Sequence, residues 1–249
     1  MRLRVKIISL FCLPFLTLII WLGAAQSQSI VQAQQKCSVA LVMALDVSGS
    51  VDWAEYRLQR KGIADAFRDD ELIDLIEYLP GGIAVAVSQW SGSWHQENML
   101  GWHRIETRSD ALRFAKAMQS ITRNRVGAMT ATGNALLHAE LMFRSNPYTC
   151  DKKVVDVSSD GKSNQGLVAS QVSDQLDRSG TTINVLAILE DDETLIPYFA
   201  EHVVRGPASF VQSANDYADY FEAIKRKLLR ELTPNYVLRN DTPNHPAAL

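Results

Sequence analysis

Unbroken runs of apolar and β-branched residues recur along this chain, and segments of helical periodicity separate most of them. No other feature constrains the fold as much. Ser38 to Leu45, Ile83 to Trp90, Lys153 to Ser158 and Thr181 to Leu189 are runs of this kind. A strand that is apolar at odd and even positions must be covered on both faces, which is the condition of a buried, mostly parallel sheet. Strands alternating with helices therefore predict an α/β fold: a doubly wound, mostly parallel sheet with helices on both faces. Six strands are expected. Ser91-Gly92-Ser93 joins the second run to Asn98–Ile105 so closely that this short strand should pair antiparallel at the sheet edge. A further short strand is expected over Ala208–Val211.

The intervening segments carry the helices. Trp53, Tyr56, Arg60, Ile63 and Phe67 recur at helical spacing, and Leu72, Ile73, Ile76 and Leu79 continue the apolar face to Pro80, predicting one helix over the first strand. Ser109-Asp110 is expected to cap a helix containing Leu112, Phe114 and Met118. Helices are further expected over Asn134–Phe143, Val168–Arg178, Glu193–Val203 despite Pro197, and Asp216–Leu232. Lys225, Arg226, Lys227 and Arg230 form a basic cluster on the last of these, read as a solvated helix face.

At 249 residues, with 47% hydrophobic and 21% charged content, the chain can build one sizeable core. The expected organisation is a signal peptide with polar spacer over 1–33, a single domain over 37–233 and a loose, proline-containing tail over 234–249. Arg2, Arg4 and Lys6 precede an apolar stretch from Ile7 to Leu22 and then small residues, the layout of a secretory leader. As a helix, that stretch covers about 24 Å of a roughly 30 Å hydrocarbon core, so cleavage and export to the periplasm or exterior are expected over an N-terminal membrane anchor. Losing three basic residues takes Lys+Arg from 25 to 22 against 28 Asp+Glu, a formal −6. That is the wrong sign for a nucleic-acid partner.

The most chemically suggestive stretch is Asp46-Val47-Ser48-Gly49-Ser50, directly behind the first apolar run. A carboxylate and two hydroxyls at alternate positions above a strand end can converge on one cation, and such hard oxygen donors suit magnesium, manganese or calcium better than zinc or copper. The pattern resembles the metal-ion-dependent adhesion site of von Willebrand factor type A domains, a Rossmann-like fold. That resemblance extends to a second loop with Thr130 (Gly127 to Gly133) and a third with Asp160 (Val154 to Gly161). It implies that the first and fourth strands are central neighbours, so that Asp46 and Asp160 meet where the winding reverses. It also implies a site of Asp46, Ser48, Ser50, Thr130 and Asp160 holding Mg2+ or Mn2+, with an open position for an Asp or Glu carboxylate of a protein partner. Switching would involve the last helix. If Asp46 and Asp160 cap neighbouring strands, Cys37 and Cys150, nine and ten residues earlier, lie at the opposite ends, within reach of a disulfide in an oxidising compartment.

Leu45 to Asp52, Ile83-Ala84-Val85 with Gln89-Trp90-Ser91, Asp156-Val157-Ser158 with Asp160-Gly161, Thr182-Ile183-Asn184 and Gly206 to Phe210 resemble recurrent phrases of a bacterial family of uncharacterised exported proteins with such a domain. The likeness spans about Val39 to Leu232; Ser159 and Ala128-Met129 stand where glycines are common. The expected function is non-enzymatic: an exported, cation-dependent adhesion module. The alternatives are a metal-dependent phosphohydrolase with Asp46 as nucleophile and an assembly or chaperone subunit of an envelope complex. The first wants a second carboxylate two positions on, where Ser48 stands. Gly161-Lys162-Ser163 lacks the earlier glycine of a phosphate loop, since Asp156 occupies it, and the five histidines have no zinc-protease spacing. Trp94, in the turn after the second run, belongs to the same rim as the site and is expected to pack rather than to bind.

Overall fold

A computed structural model of the chain describes residues 35–124, 127–190 and 192–234. The leader expected at 1–33 and all but the first residue of the tail expected at 234–249 lie outside the described residues. No helix among the described residues is long and apolar enough to cross a membrane. The elements are β1 (Lys36–Asp46), α1 (Trp53–Ala66), α2 (Asp70–Tyr78), β2 (Ile83–Trp90), β3 (Gln96–Ile105), α3 (Arg108–Ser120), α4 (Thr132–Arg144), β4 (Thr149–Ser159), α5 (Ala169–Arg178), β5 (Thr181–Ile188), α6 (Leu195–His202), β6 (Val211–Ala214) and α7 (Tyr220–Leu232).

The strands form one sheet in the order β3-β2-β1-β4-β5-β6, parallel throughout except for β3, which pairs antiparallel to β2 at the edge. The doubly wound α/β sheet is thus present. In β1, Leu41, Met43 and Leu45 face one core with α1, α2, α3 and α7, while Val42 and Ala44 face the other with α4, α5 and α6. This two-sided burial is why the segment is apolar at every position. Burying each large aliphatic side chain contributes about 1.5–3 kcal/mol.

Several boundaries differ from expectation for local reasons. The single helix expected after β1 is two, because the Asp69 carboxylate accepts from the Glu71 and Leu72 N–H groups and starts α2 afresh. Thr107, not Ser109-Asp110, caps α3; its hydroxyl accepts from the Asp110 N–H while the Asp110 carboxylate accepts from the Thr107 N–H. Pro197 is tolerated because it falls in the first turn of α6. The last strand is Val211–Ala214 rather than Ala208–Val211, since Gly206 (φ 100) and Ala208 (φ 56) are left-handed and cannot extend the sheet. α7 begins at Tyr220, not Asp216: the Asp216 carboxylate accepts from the N–H groups of Ala218 and Asp219 and makes a turn before the helix.

The basic cluster of α7 is not one solvated face. Lys225 pairs with Asp69 at 2.8 Å and Glu71 at 3.2 Å, and the Arg230 guanidinium lies 3.8 Å from the Phe210 ring centroid. Lys227 is fully buried, its ammonium 2.6 Å from Asp156 Oδ1 of β4 and 2.6 Å from Glu231 Oε1. The Asn184 amide donates to the same Glu231 oxygen. Burial pushes the Glu231 carboxyl well up, against the pull of Lys227.

At the other end of the central strands, Cys37 of β1 lies opposite Cys150 of β4 in register and the two are joined in a disulfide.

Candidate metal-binding site at the switch point

Because β1 and β4 are neighbours whose crossovers run to opposite sides of the sheet, their carboxyl ends open into one crevice. Register pairs Leu45 with Ser158, which brings the loops after Asp46 and Ser159 side by side. Asp46 is fully buried. Its Oδ1 accepts from the Ser48 N–H at 2.8 Å and its Oδ2 from the Ser159 hydroxyl at 2.6 Å. The Ser48 and Ser50 hydroxyls are 3.3 Å apart, and the Ser50 hydroxyl donates to Asp160 Oδ1 at 2.7 Å.

The Thr130 loop closes the third side. Its backbone is held to the Asp160 loop: the Thr130 N–H donates to Asn164 Oδ1 at 2.9 Å, and the Thr130 carbonyl accepts from the Asn164 N–H at 2.9 Å. A Cβ placed on Gly161 would stand 3.8 Å from Thr130 Oγ1, and one on Gly49 would be 3.2 Å from the Ala128 backbone. The absence of a side chain at Gly49 lets the first and second loops approach. All five residues expected at the site, Asp46, Ser48, Ser50, Thr130 and Asp160, therefore surround one crevice.

Electrostatics there are unbalanced. Burial, and then the charge of Asp160, push the Asp46 carboxyl up to about 7 against the hydrogen bonds from Ser159 and Ser48. The Tyr217 hydroxyl, just ahead of α7, donates to Asp160 Oδ2 at 3.2 Å. Burial and the charges of Asp160, Asp46 and Glu55 push the Tyr217 phenol far up, so it stays a donor. Tyr217 stacks on Tyr220, whose hydroxyl is 2.9 Å from that of Ser158.

A cation held here would find two carboxylates and three hydroxyls, a hard-oxygen set that fits a divalent ion. No group of three or more His, Cys, Asp or Glu side chains that could hold a metal occurs among the described residues, so these hydroxyls are needed to complete any such shell.

Three supporting residues escaped the sequence reading. Ser159 appears there only as a departure from glycine, yet it holds Asp46. Tyr217 carries no motif. Arg123 is buried beneath the first loop, where its guanidinium donates to the carbonyls of Val47 (3.3 Å), Ser48 (3.1 Å) and Val51 and lies 5.4 Å from the Trp53 ring centroid. Only its place after a helix-ending segment could have pointed to it. Trp94, expected to pack, is 91% exposed.

Residues 36–236 match the model of one family, described as a protein of unknown function (DUF1194). No curated protein sequence matches the chain. Among solved structures, mussel byssus proximal thread matrix protein 1 (PTMP1) with a zinc-occupied MIDAS motif aligns at TM-score 0.58 and 18% identity, over 80% of this chain and 48% of that one. The pilus adhesin SpaC of Lactobacillus rhamnosus GG, in its open conformation, aligns at 0.55 and 14% identity, over 78% and 30%. A von Willebrand factor type A protein from Catenulispora acidiphila aligns at 0.53 and 20% identity, over 78% and 43%. The chain spans less than half the length of each, and at these identities the likeness establishes the fold, which is that of von Willebrand factor type A domains.

Proposed function

From the premise that the chain belongs to the DUF1194 family, we propose that it is a divalent-cation-dependent binding module which recognises a carboxylate on a protein partner, at a metal site of Asp46, Ser48, Ser50, Thr130 and Asp160. One observation carries this reading: two mutually repelling carboxylates, one of them fully buried, share a crevice with three hydroxyls. A cation there relieves the repulsion, and with few anionic ligands it keeps residual positive charge for an incoming carboxylate. The zinc in the MIDAS motif of the mussel protein and the adhesin among the similar folds support metal-dependent adhesion as the coarse function. Mg2+ or Mn2+, export and a carboxylate partner are the finer parts of the proposal. The phosphohydrolase alternative is disfavoured, since a fully buried Asp46 whose two oxygens already accept hydrogen bonds is a poor nucleophile.

The test is isothermal titration of the chelator-stripped protein with Mg2+, Mn2+ and Zn2+, beside an Asp46→Ala plus Ser48→Ala variant. Saturable binding by the parent and none by the variant is expected. Equal heats from both would place the metal elsewhere.

The pH dependence provides a second check. A metal must displace the proton that Asp46 holds below about 7, so apparent affinity is expected to fall by about tenfold per unit as pH drops from 7 toward 5. Titrations across that range should show this slope, and a flat profile would count against Asp46 as ligand.

A further inference from the structure

The two sides of the crevice differ in chemistry, and the sheet order places them apart. On the β2 side, the turn bearing Trp94 is bound to both neighbouring loops. The Ala131 N–H donates to the Ser91 carbonyl at 2.8 Å, and the Ser93 N–H donates to Gln165 Oε1 at 2.9 Å. Beside this turn lies a cavity of about 220 Å³ with mostly polar walls: Trp94 and Val47 share it with Gln89, His95 and Glu97, whose carboxylate accepts from the Asn124 side chain. Val47 stands between Asp46 and Ser48, so the cavity borders the metal loop directly. Trp94 at 91% exposure and Met129 at 40% leave large apolar side chains on this rim, next to a crevice that is otherwise polar.

On the β5 side, beyond β4, the rim is mainly acidic, its Lys162 being paired with Asp192 at 3.6 Å. Glu190 Oε1 accepts from the Tyr217 N–H at 3.3 Å, and the hydroxyl of the same Tyr217 reaches Asp160. Glu55, at the start of α1, accepts from the Asp52 N–H, and burial, then the charges of Asp52, Glu190 and Asp160, push its carboxyl up. An acidic segment would be repelled here, and a basic one attracted.

Building on the metal reading, we propose that the partner presents an acidic side chain between a large apolar residue and a basic residue. The acid meets the cation, the apolar side chain lies against Trp94 and Met129, and the basic side chain faces Glu55 and Glu190. The two rims set the orientation: the bound cation attracts the carboxylate, Glu55 and Glu190 attract a basic group on the β5 side, and the exposed Trp94 and Met129 offer apolar contact on the β2 side, where Glu97 is already engaged with Asn124.

The experiment uses immobilised short peptides with one central Asp. Flanking positions are varied among Trp, Lys, Glu and Gly, and binding is measured in Mg2+ and in chelator. Peptides with Trp on one side and Lys on the other are expected to bind about tenfold tighter in Mg2+ than those flanked by Gly. Trp94→Ala should erase the Trp preference and keep the Lys preference; Glu190→Gln should do the reverse. Equal binding of Trp- and Gly-flanked peptides, or variants that leave both preferences intact, would overturn the inference. So would a protein that titrates metal normally yet binds none of the peptides, and that result leaves the metal reading standing. A protein that takes up no metal would overturn both.

Discussion

A Lys227→Met protein is expected to be less stable by about 3–5 kcal/mol, the cost of leaving buried carboxylates without their cation. Lys227 is the cation shared by Asp156 and Glu231, in contact with each at 2.6 Å. Its removal leaves two acids facing each other in the core between α7 and β4. Replacing all three by apolar residues of similar volume should recover most of the loss, because no charge then needs solvation; the Asn184 amide, deprived of Glu231, costs about 1 kcal/mol of that recovery. Urea unfolding of the single and triple variants separates the cases. A single variant as stable as the parent would mean that water reaches the cluster.

Replacing both Cys37 and Cys150 by Ser is expected to cost about 4–5 kcal/mol, lowering the melting temperature on the order of 10–20 °C. The bridge spans 113 residues of sequence, and cross-linking a loop that long removes much of the freedom of the unfolded chain. It also ties β1 to β4 at the end remote from the crevice, so the metal titration should survive in whatever fraction stays folded. Thermal unfolding with and without reductant reads the effect. Coincident curves would show that the cross-link contributes nothing.

Much of this was legible from local pattern. The apolar run before Asp46 announced a strand buried on both faces, and Ile83–Trp90 was read with the boundaries it has. Side-chain type alone marked Asp46, Ser48 and Ser50 as hard oxygen donors. Other features failed where a short polar side chain offered the backbone a second option. Asp69 restarts a helix inside a continuous apolar periodicity, and Asp216 delays one. The charge of Lys227 points to solvent, whereas its phase in α7 places it inside. Tyr220, Ala223, Ile224, Leu228 and Glu231 share its buried stripe, a spacing visible in the sequence.

Composition and period are properties of a segment, so the sequence by itself determined that this chain builds a two-sided α/β sheet and that one strand ends in metal-suited oxygens. The strand order, and with it the meeting of Asp46 with Asp160, is implied by the family resemblance and not by any local pattern, and it is the tertiary structure that decides it. The tertiary structure also decides the donation of Ser159 to Asp46, the grip of Arg123 on the loop carbonyls, the tie from Tyr217 to Asp160 and the contrast between the Trp94 and Glu190 rims. Each depends on residues far apart in the chain, whose proximity exists only once burial of the apolar strands has outweighed the entropy of closing the loops between them.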